Sequence, residues 1–191
     1  NGYAISTLPG SPIKTLADLK GKTVGFPVAG GGTAMIFNES MNAIGISDPQ
    51  VTAVVIGAGP QAAAAIEGKR VEAAMLWDAA FGQIENLGMK LNYIEMPIQD
   101  TIAGYTLSSN DKFVKENPKA VAGFCRSVLK GLHFAMTNKE AAIRIFFKEF
   151  PTTVPAGVDE PTAVKQAVNV LNMWLNAAMK GVTYGGKYGE F

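Results

Sequence analysis

The sequence predicts an α/β protein: an open, parallel-type sheet followed by a mainly helical part. Three observations carry this. Between Thr23 and Met96 four short apolar runs alternate with helix-period segments, and glycines close the helices. After Pro97 the chain reads as helix almost throughout, with one strand at Gly104–Ser108. Of 191 residues, 48% are hydrophobic and 17% charged, a balance that buries a core and excludes a disordered tract.

Taken in order, Ala4–Leu8 reads as a short strand stopped by Pro9-Gly10. Pro12 to Lys20 reads as a turn and about one turn of helix, with Thr15 as N-cap and Asp18 three residues on. Thr23–Pro27 is a buried-strand pattern ended by proline. Gly30-Gly31-Gly32 follows, and Thr33 opens a helix with Met35, Ile36, Phe37, Met41 and Ile44 at helical spacing, closed by Gly45. Val51–Ile56 is the next strand. Gly57-Ala58-Gly59 turns the chain, and Pro60 suits the first position of a helix through Glu67. Val71–Leu76 is a third strand, Asp78–Asn86 its helix, and Met89–Met96 a fourth apolar run. Short connections of this kind make parallel βαβ units.

Beyond Pro97, Asn110 or Asp111 caps a short helix, and Asn117-Pro118 starts a long one running to Met136. Its apolar positions Val121, Phe124, Val128, Leu129, Leu132 and Met136 recur at three- and four-residue steps. Lys139–Phe150 and Pro161–Met179 are two further helices. A lone strand needs partners. The division expected is therefore a central α/β lobe over 9–98, with 1–8 and 99–191 as an incomplete lobe whose other strands belong to a preceding segment.

Charge and chemistry narrow the function. Seventeen basic against sixteen acidic residues leave a net charge of +1, with no field to hold nucleic acid. Cys125 and His133 are the only cysteine and histidine, so a disulfide framework, a cysteine-based zinc site and most nucleophile–base arrangements lose their residues. No cofactor motif or metal-ligand spacing stands out. No stretch approaches the ~20 apolar residues of a membrane span. The chain lacks an initiator Met and a leader pattern, and reads as a processed product or a piece of a longer chain.

The residues that could carry function lie between strand ends and helix starts. Val28 to Thr33 combines glycines, which allow close backbone approach, with the free amides of a helix start, which attract negative charge. It is neither a P-loop nor a dinucleotide fingerprint. A plain flexible turn is the competing account of Gly30, Gly31, Gly32 and Thr33. Trp77 suits either stacking on a ligand or core packing, and Asp78 either ligand contact or a helix N-cap. Gln61 is a ligand contact or a solvated first-turn residue. Tyr105 reaches the cleft or is an ordinary strand aromatic.

Ser11 to Gly25, with its Ile13-Lys14-Thr15-Leu16-Ala17-Asp18-Leu19-Lys20-Gly21-Lys22 core, resembles the segment that opens the central lobe of ABC-type substrate-binding proteins. The likeness is to the nitrate/sulfonate/taurine and thiamine-precursor branch. The glycine turn with Thr33, Ala63–Ala74, Leu76-Trp77-Asp78-Ala79-Ala80 and Asn110–Pro118 resemble further family segments in the same order, with Ala79 in place of a common proline. The resemblance spans Leu8 to Met136. It implies a two-lobed periplasmic-binding-protein-like fold that closes over a small-molecule solute and docks on an ABC permease. It also implies a ligand-binding role for Gly30–Thr33 and Trp77-Asp78, no turnover, and a periplasmic or outer-surface location, lipid-anchored or free. An enzyme on the same fold, such as a thiamine-pyrimidine-precursor synthase, and a ligand-sensing lobe of a receptor are the alternatives.

Overall fold

The computed structural model describes residues 2–101 and 106–179. The chain divides into two compact units, Asn1–Gly104 and Tyr105–Phe191.

The first unit is built on five strands: β1 (Tyr3–Thr7), β2 (Thr23–Phe26), β3 (Thr52–Val55), β4 (Ala73–Trp77) and β5 (Asn92–Ile94). Three helices join them: α1 (Gly31–Ala43), α2 (Pro60–Glu67) and α3 (Asp78–Asn86). The sheet order is β3-β2-β4-β1-β5. β2 runs parallel to β3 and β4, so the open α/β sheet expected from the alternation is present. The apolar run 89–96 contributes only the three residues of β5.

β1 departs from expectation. It does not belong with the later half of the chain: it lies inside this sheet, antiparallel to β4 on one side and to β5 on the other. Its composition hid this. Tyr-Ala-Ile-Ser-Thr lacks the unbroken apolar run of a central strand, yet Ser6 and Thr7 are each 1% exposed, with no hydrogen-bond partner for either hydroxyl among the described residues. Its partner β4 is also remote in sequence, so no local signal links them.

Strand alternation sorts the core into two faces. On one face Ile5, Val24, Phe26, Met75, Ile94 and Met96 pack with Phe37 and Met41 of α1. Fully burying each such side chain contributes roughly 1.5–3 kcal/mol. Ile13, Leu16 and Leu19 close the same cluster from the loop before β2, which accounts for their three-residue spacing. That loop holds only a 3₁₀ turn, Ala17–Leu19. Thr15 is not its cap. Instead the Asp18 carboxylate accepts from the amides of Lys14 (3.0 Å) and Thr15 (2.9 Å) and from the Thr15 hydroxyl. These donors hold the Asp18 carboxyl below its ordinary pKa, the Lys14 amide most strongly. On the other face α3 brings Phe81 edge-on to Tyr93, ring centres 5.3 Å apart, with α2 beside it.

The second unit contains α4 (Asp111–Glu116), α5 (Pro118–Thr137), α6 (Lys139–Glu149) and α7 (Glu160–Met179). Asn110 caps α4, its Oδ1 accepting from the Phe113 amide at 2.8 Å. Asp159 does the same for α7 through the amide and hydroxyl of Thr162. The strand expected at Gly104–Ser108 is not formed over Thr106–Ser108, and residues 102–105 lie outside the described part.

Candidate ligand-binding site

The site follows from the sheet's connectivity. The chain leaves β2 for α1 on one face and β4 for α3 on the other, and β2 and β4 are neighbours. Adjacent parallel strands whose loops part in this way leave a crevice outside their carboxyl ends. The turn before α1 lies on one side of that crevice and Trp77-Asp78 on the other. The turn from β3 to α2 shares the same edge. Because β1 is antiparallel, its first residues also reach this edge, and Tyr3 lies directly opposite Trp77.

The α1 turn is shaped by backbone conformation. Gly30 (φ 71°) and Gly31 (φ 76°) both lie in the left-handed region that side chains disfavour. α1 therefore begins at Gly31, two residues before the Thr33 start expected, and Gly30 to Gly32 are exposed. The first amides of the helix have no partner within it, so they present donors and the positive end of the helix dipole to the crevice. Thr33 is 5% exposed. Val28 and Met35, at 56% and 67% exposed, add apolar surface around this turn. The helical spacing marked Met35 as a core position, but only Phe37 and Met41 of that pattern are deeply buried.

The other candidates divide. Gln61 is exposed, and its side-chain amide folds back over Gly57 of its own turn, just as Gln83 of α3 lies over Gly59. Trp77 is half-buried at the end of β4. Asp78 is buried, its amide donates to the Gly2 carbonyl at 2.6 Å, and its Oδ1 accepts from the Ala79 amide. It is the first residue of α3, one position inside the helix, and Trp77 occupies the N-cap position expected for it. Part of its role is thus to tie the start of β1 to the start of α3. Tyr105 lies outside the described residues. Tyr3 was not among the sequence candidates, because only the strand pairing brings it here. Two grooves, of about 680 and 460 Å³, open at the opposite sheet edge around Leu91 and Asn92.

Comparisons with known proteins agree with this architecture. The chain is 26% identical over 140 residues to the riboflavin-binding protein RibY of Chloroflexus aurantiacus, a match covering 73% of this chain and 40% of that protein. The chain thus spans well under half the length of that relative. The periplasmic aliphatic sulphonate binding protein SsuA of Escherichia coli superposes with a TM-score of 0.66 at 18% identity, over 100% of this chain and 69% of that one. The alkanesulfonate-binding SsuA of Xanthomonas axonopodis pv. citri, bound to MOPS, gives 0.55 at 17% identity over 88% and 55%. At such identities these structures speak to fold alone, and the fold is that of periplasmic binding proteins. The family described as NMT1/THI5 like matches residues 1–142, most of the chain, and it is to this family that the protein belongs.

Proposed function

We propose that the chain is part of the solute-binding component of an ABC-type importer, holding a small molecule at the carboxyl edge of the sheet and passing it to a membrane permease. The observation that carries this is the meeting of three strand-to-helix turns, at Gly30–Thr33, Gly57–Gln61 and Trp77-Asp78, on one sheet edge. Family membership and the binding-protein character of the matched relatives support a role in binding rather than turnover. They equally support a location outside the cytoplasm.

Asp78 is the only charged side chain among the candidates, so a ligand's acceptor groups would be met by backbone amides and hydroxyls. This suits a sulfonate, nitrate, carboxylate or pyrimidine-like compound, with Trp77 available for stacking. Relatives named for sulfonates and for riboflavin span that range. Tyr105 remains a proposed contact. The second unit, with much apolar surface exposed on its helices, is proposed to form part of a second lobe completed by polypeptide outside this chain.

The test is calorimetric titration of the full-length protein with ethanesulfonate, nitrate, acetate, riboflavin and a hydroxymethylpyrimidine. Saturable one-to-one binding of at least one, with the ligand recovered unchanged, is expected. Trp77→Ala should weaken it about tenfold, the scale of a lost aromatic contact of ~1.4 kcal/mol. Conversion of any probe, or no binding of all five, would overturn the reading.

A further inference from the structure

Two hydroxyls of β1, Ser6 Oγ and Thr7 Oγ1, are buried with no hydrogen-bond partner among the described residues. They point to opposite faces of the sheet, and their surroundings differ. Ser6 shares its face with Tyr93, its cross-strand partner, and lines neither of the two grooves at the edge opposite the candidate site. Thr7, 1% exposed, lines the smaller groove, of about 460 Å³. A buried hydroxyl left unpaired costs free energy in the folded chain, and valine keeps the shape without that cost. Nothing among the described residues therefore calls for threonine at position 7.

The groove supplies what the hydroxyl lacks. Thr7 pairs with Asn92 across β1 and β5, as Ile5 does with Ile94, so all four stand on one face of the sheet. Ile13 packs against that face, and Lys14 beside it lines the groove. Tyr93 lines it too, but its phenol already donates to Glu85 at 2.7 Å. The Asp18 carboxylate, the acid nearest Lys14 in sequence, is taken up by the amides of Lys14 and Thr15 and by the Thr15 hydroxyl. Lys14 and Asn92 are exposed, and neither side chain has a polar partner among the described residues. A hydroxyl, an ammonium and an amide thus line one groove beside the apolar Ile13, Leu91 and Ile94. Its volume falls within the roughly 300–1,000 Å³ of small-molecule sites.

We propose that this groove is a second ligand site, separate from the carboxyl edge, and that it takes a small monocarboxylate. The carboxylate accepts from the Thr7 hydroxyl, the Lys14 ammonium and the Asn92 amide, and a short apolar tail lies against Ile13, Leu91 and Ile94. One ammonium in the lining fits one negative charge. Tyr3 at the crevice and Thr7 at the groove stand at opposite ends of β1, about 13 Å apart at the rise of a strand, so the two sites are distinct.

Calorimetric titration of the full-length protein with butyrate tests this, at low ionic strength because salt screens an exposed ammonium. Saturable binding is expected for the wild type, and none of 1-butanol, which keeps the tail and lacks the charge. Thr7→Val should weaken butyrate binding about tenfold, the worth of one hydrogen bond to a charged group, while its melting temperature without ligand stays unchanged or rises. Lys14→Gln should weaken binding about threefold, the scale of an exposed ion pair. The site is refuted if the wild type does not bind butyrate, or if Thr7→Val binds it within about twofold of wild type. A lowered melting temperature of Thr7→Val also refutes it, since the hydroxyl would then have a partner in the fold. Unchanged binding by Lys14→Gln, or equal binding of 1-butanol, would overturn the anionic class of the ligand and the proposal with it. The binding role proposed for the carboxyl edge stands or falls separately.

Discussion

Glu72 shows how one exposed side chain can join two strands. Its amide donates to the Thr23 carbonyl at 2.8 Å, and its Oε2 accepts from the Thr23 amide at 2.9 Å, so it extends the β2–β4 ladder past its last regular pair. Lys22 adds an ion pair at 3.2 Å, half-exposed and thus worth little. The Thr23 amide, first among these, holds the Glu72 carboxyl below its ordinary value of 4.5. A carboxyl whose pKa is lower folded than unfolded contributes stability that is fully present above the unfolded value and lost as pH falls through the folded one. Denaturant melts of wild type and Glu72→Gln should therefore differ by a constant amount from pH 8 down to about 5 and converge below it, as the shared acid transition removes the charge. A difference independent of pH down to pH 3 would assign the bond no charge-assisted part. The residues of the candidate site were legible to unequal degrees. Gly30–Thr33 and Trp77-Asp78 stand out because a glycine run or an aromatic–acid pair falls between a strand and a helix. Tyr3 carries no such mark, since its place depends on pairing with a strand far along the chain.

At the scale of elements, β2 depends on a missing side chain. A Cβ on Gly25 would come 2.5 Å from Cδ1 of Ile56 and 3.1–3.2 Å from its Cγ atoms, where Ile56, 5% exposed, caps the end of β3. This glycine serves close packing between neighbouring strands rather than a turn. Gly25→Ala is expected to destabilise by about 1–2 kcal/mol through overpacking. Ile56→Val alone should cost ~1 kcal/mol, and the double variant clearly less than the sum, because the shorter side chain makes room for the methyl. Strict additivity in denaturant melts would show that the two sites do not touch. The same element explains what could be read in advance. β2, β3 and β4 with their helices announce themselves by apolar runs, a closing glycine and Pro60 at a helix start, all local signals. β1 is legible as a strand from its Pro9-Gly10 stop, but its place in the sheet is not, because its two neighbours are contributed by segments that follow it and its own buried hydroxyls read as surface.

Across the whole chain, burial is unevenly shared. The first unit holds nearly all of the deeply buried apolar residues, whereas in the second only Ile143, Ala163, Val164 and Leu175 are buried among the described residues. α5 follows a clear amphipathic pattern yet has no buried residue, and Phe124 on it is 60% exposed. An amphipathic helix gains its stability from packing the apolar face, not from propensity alone. With that face only partly covered, Val121, Leu129, Leu132 and Met136 half-buried and Phe124 and Val128 exposed, its backbone bonds should open by local fluctuations that the sheet resists. Amide exchange of this chain should therefore be slowest in β1, β2 and β4 and faster by at least about tenfold in α5, a difference of ~1.4 kcal/mol or more in opening free energy. In a longer polypeptide that supplies the rest of a second lobe, α5 protection should rise toward that of the sheet. Equal protection of α5 and β4 in this chain would mean that α5 needs no further cover, and the second-lobe proposal would lose the apolar surface on which it stands.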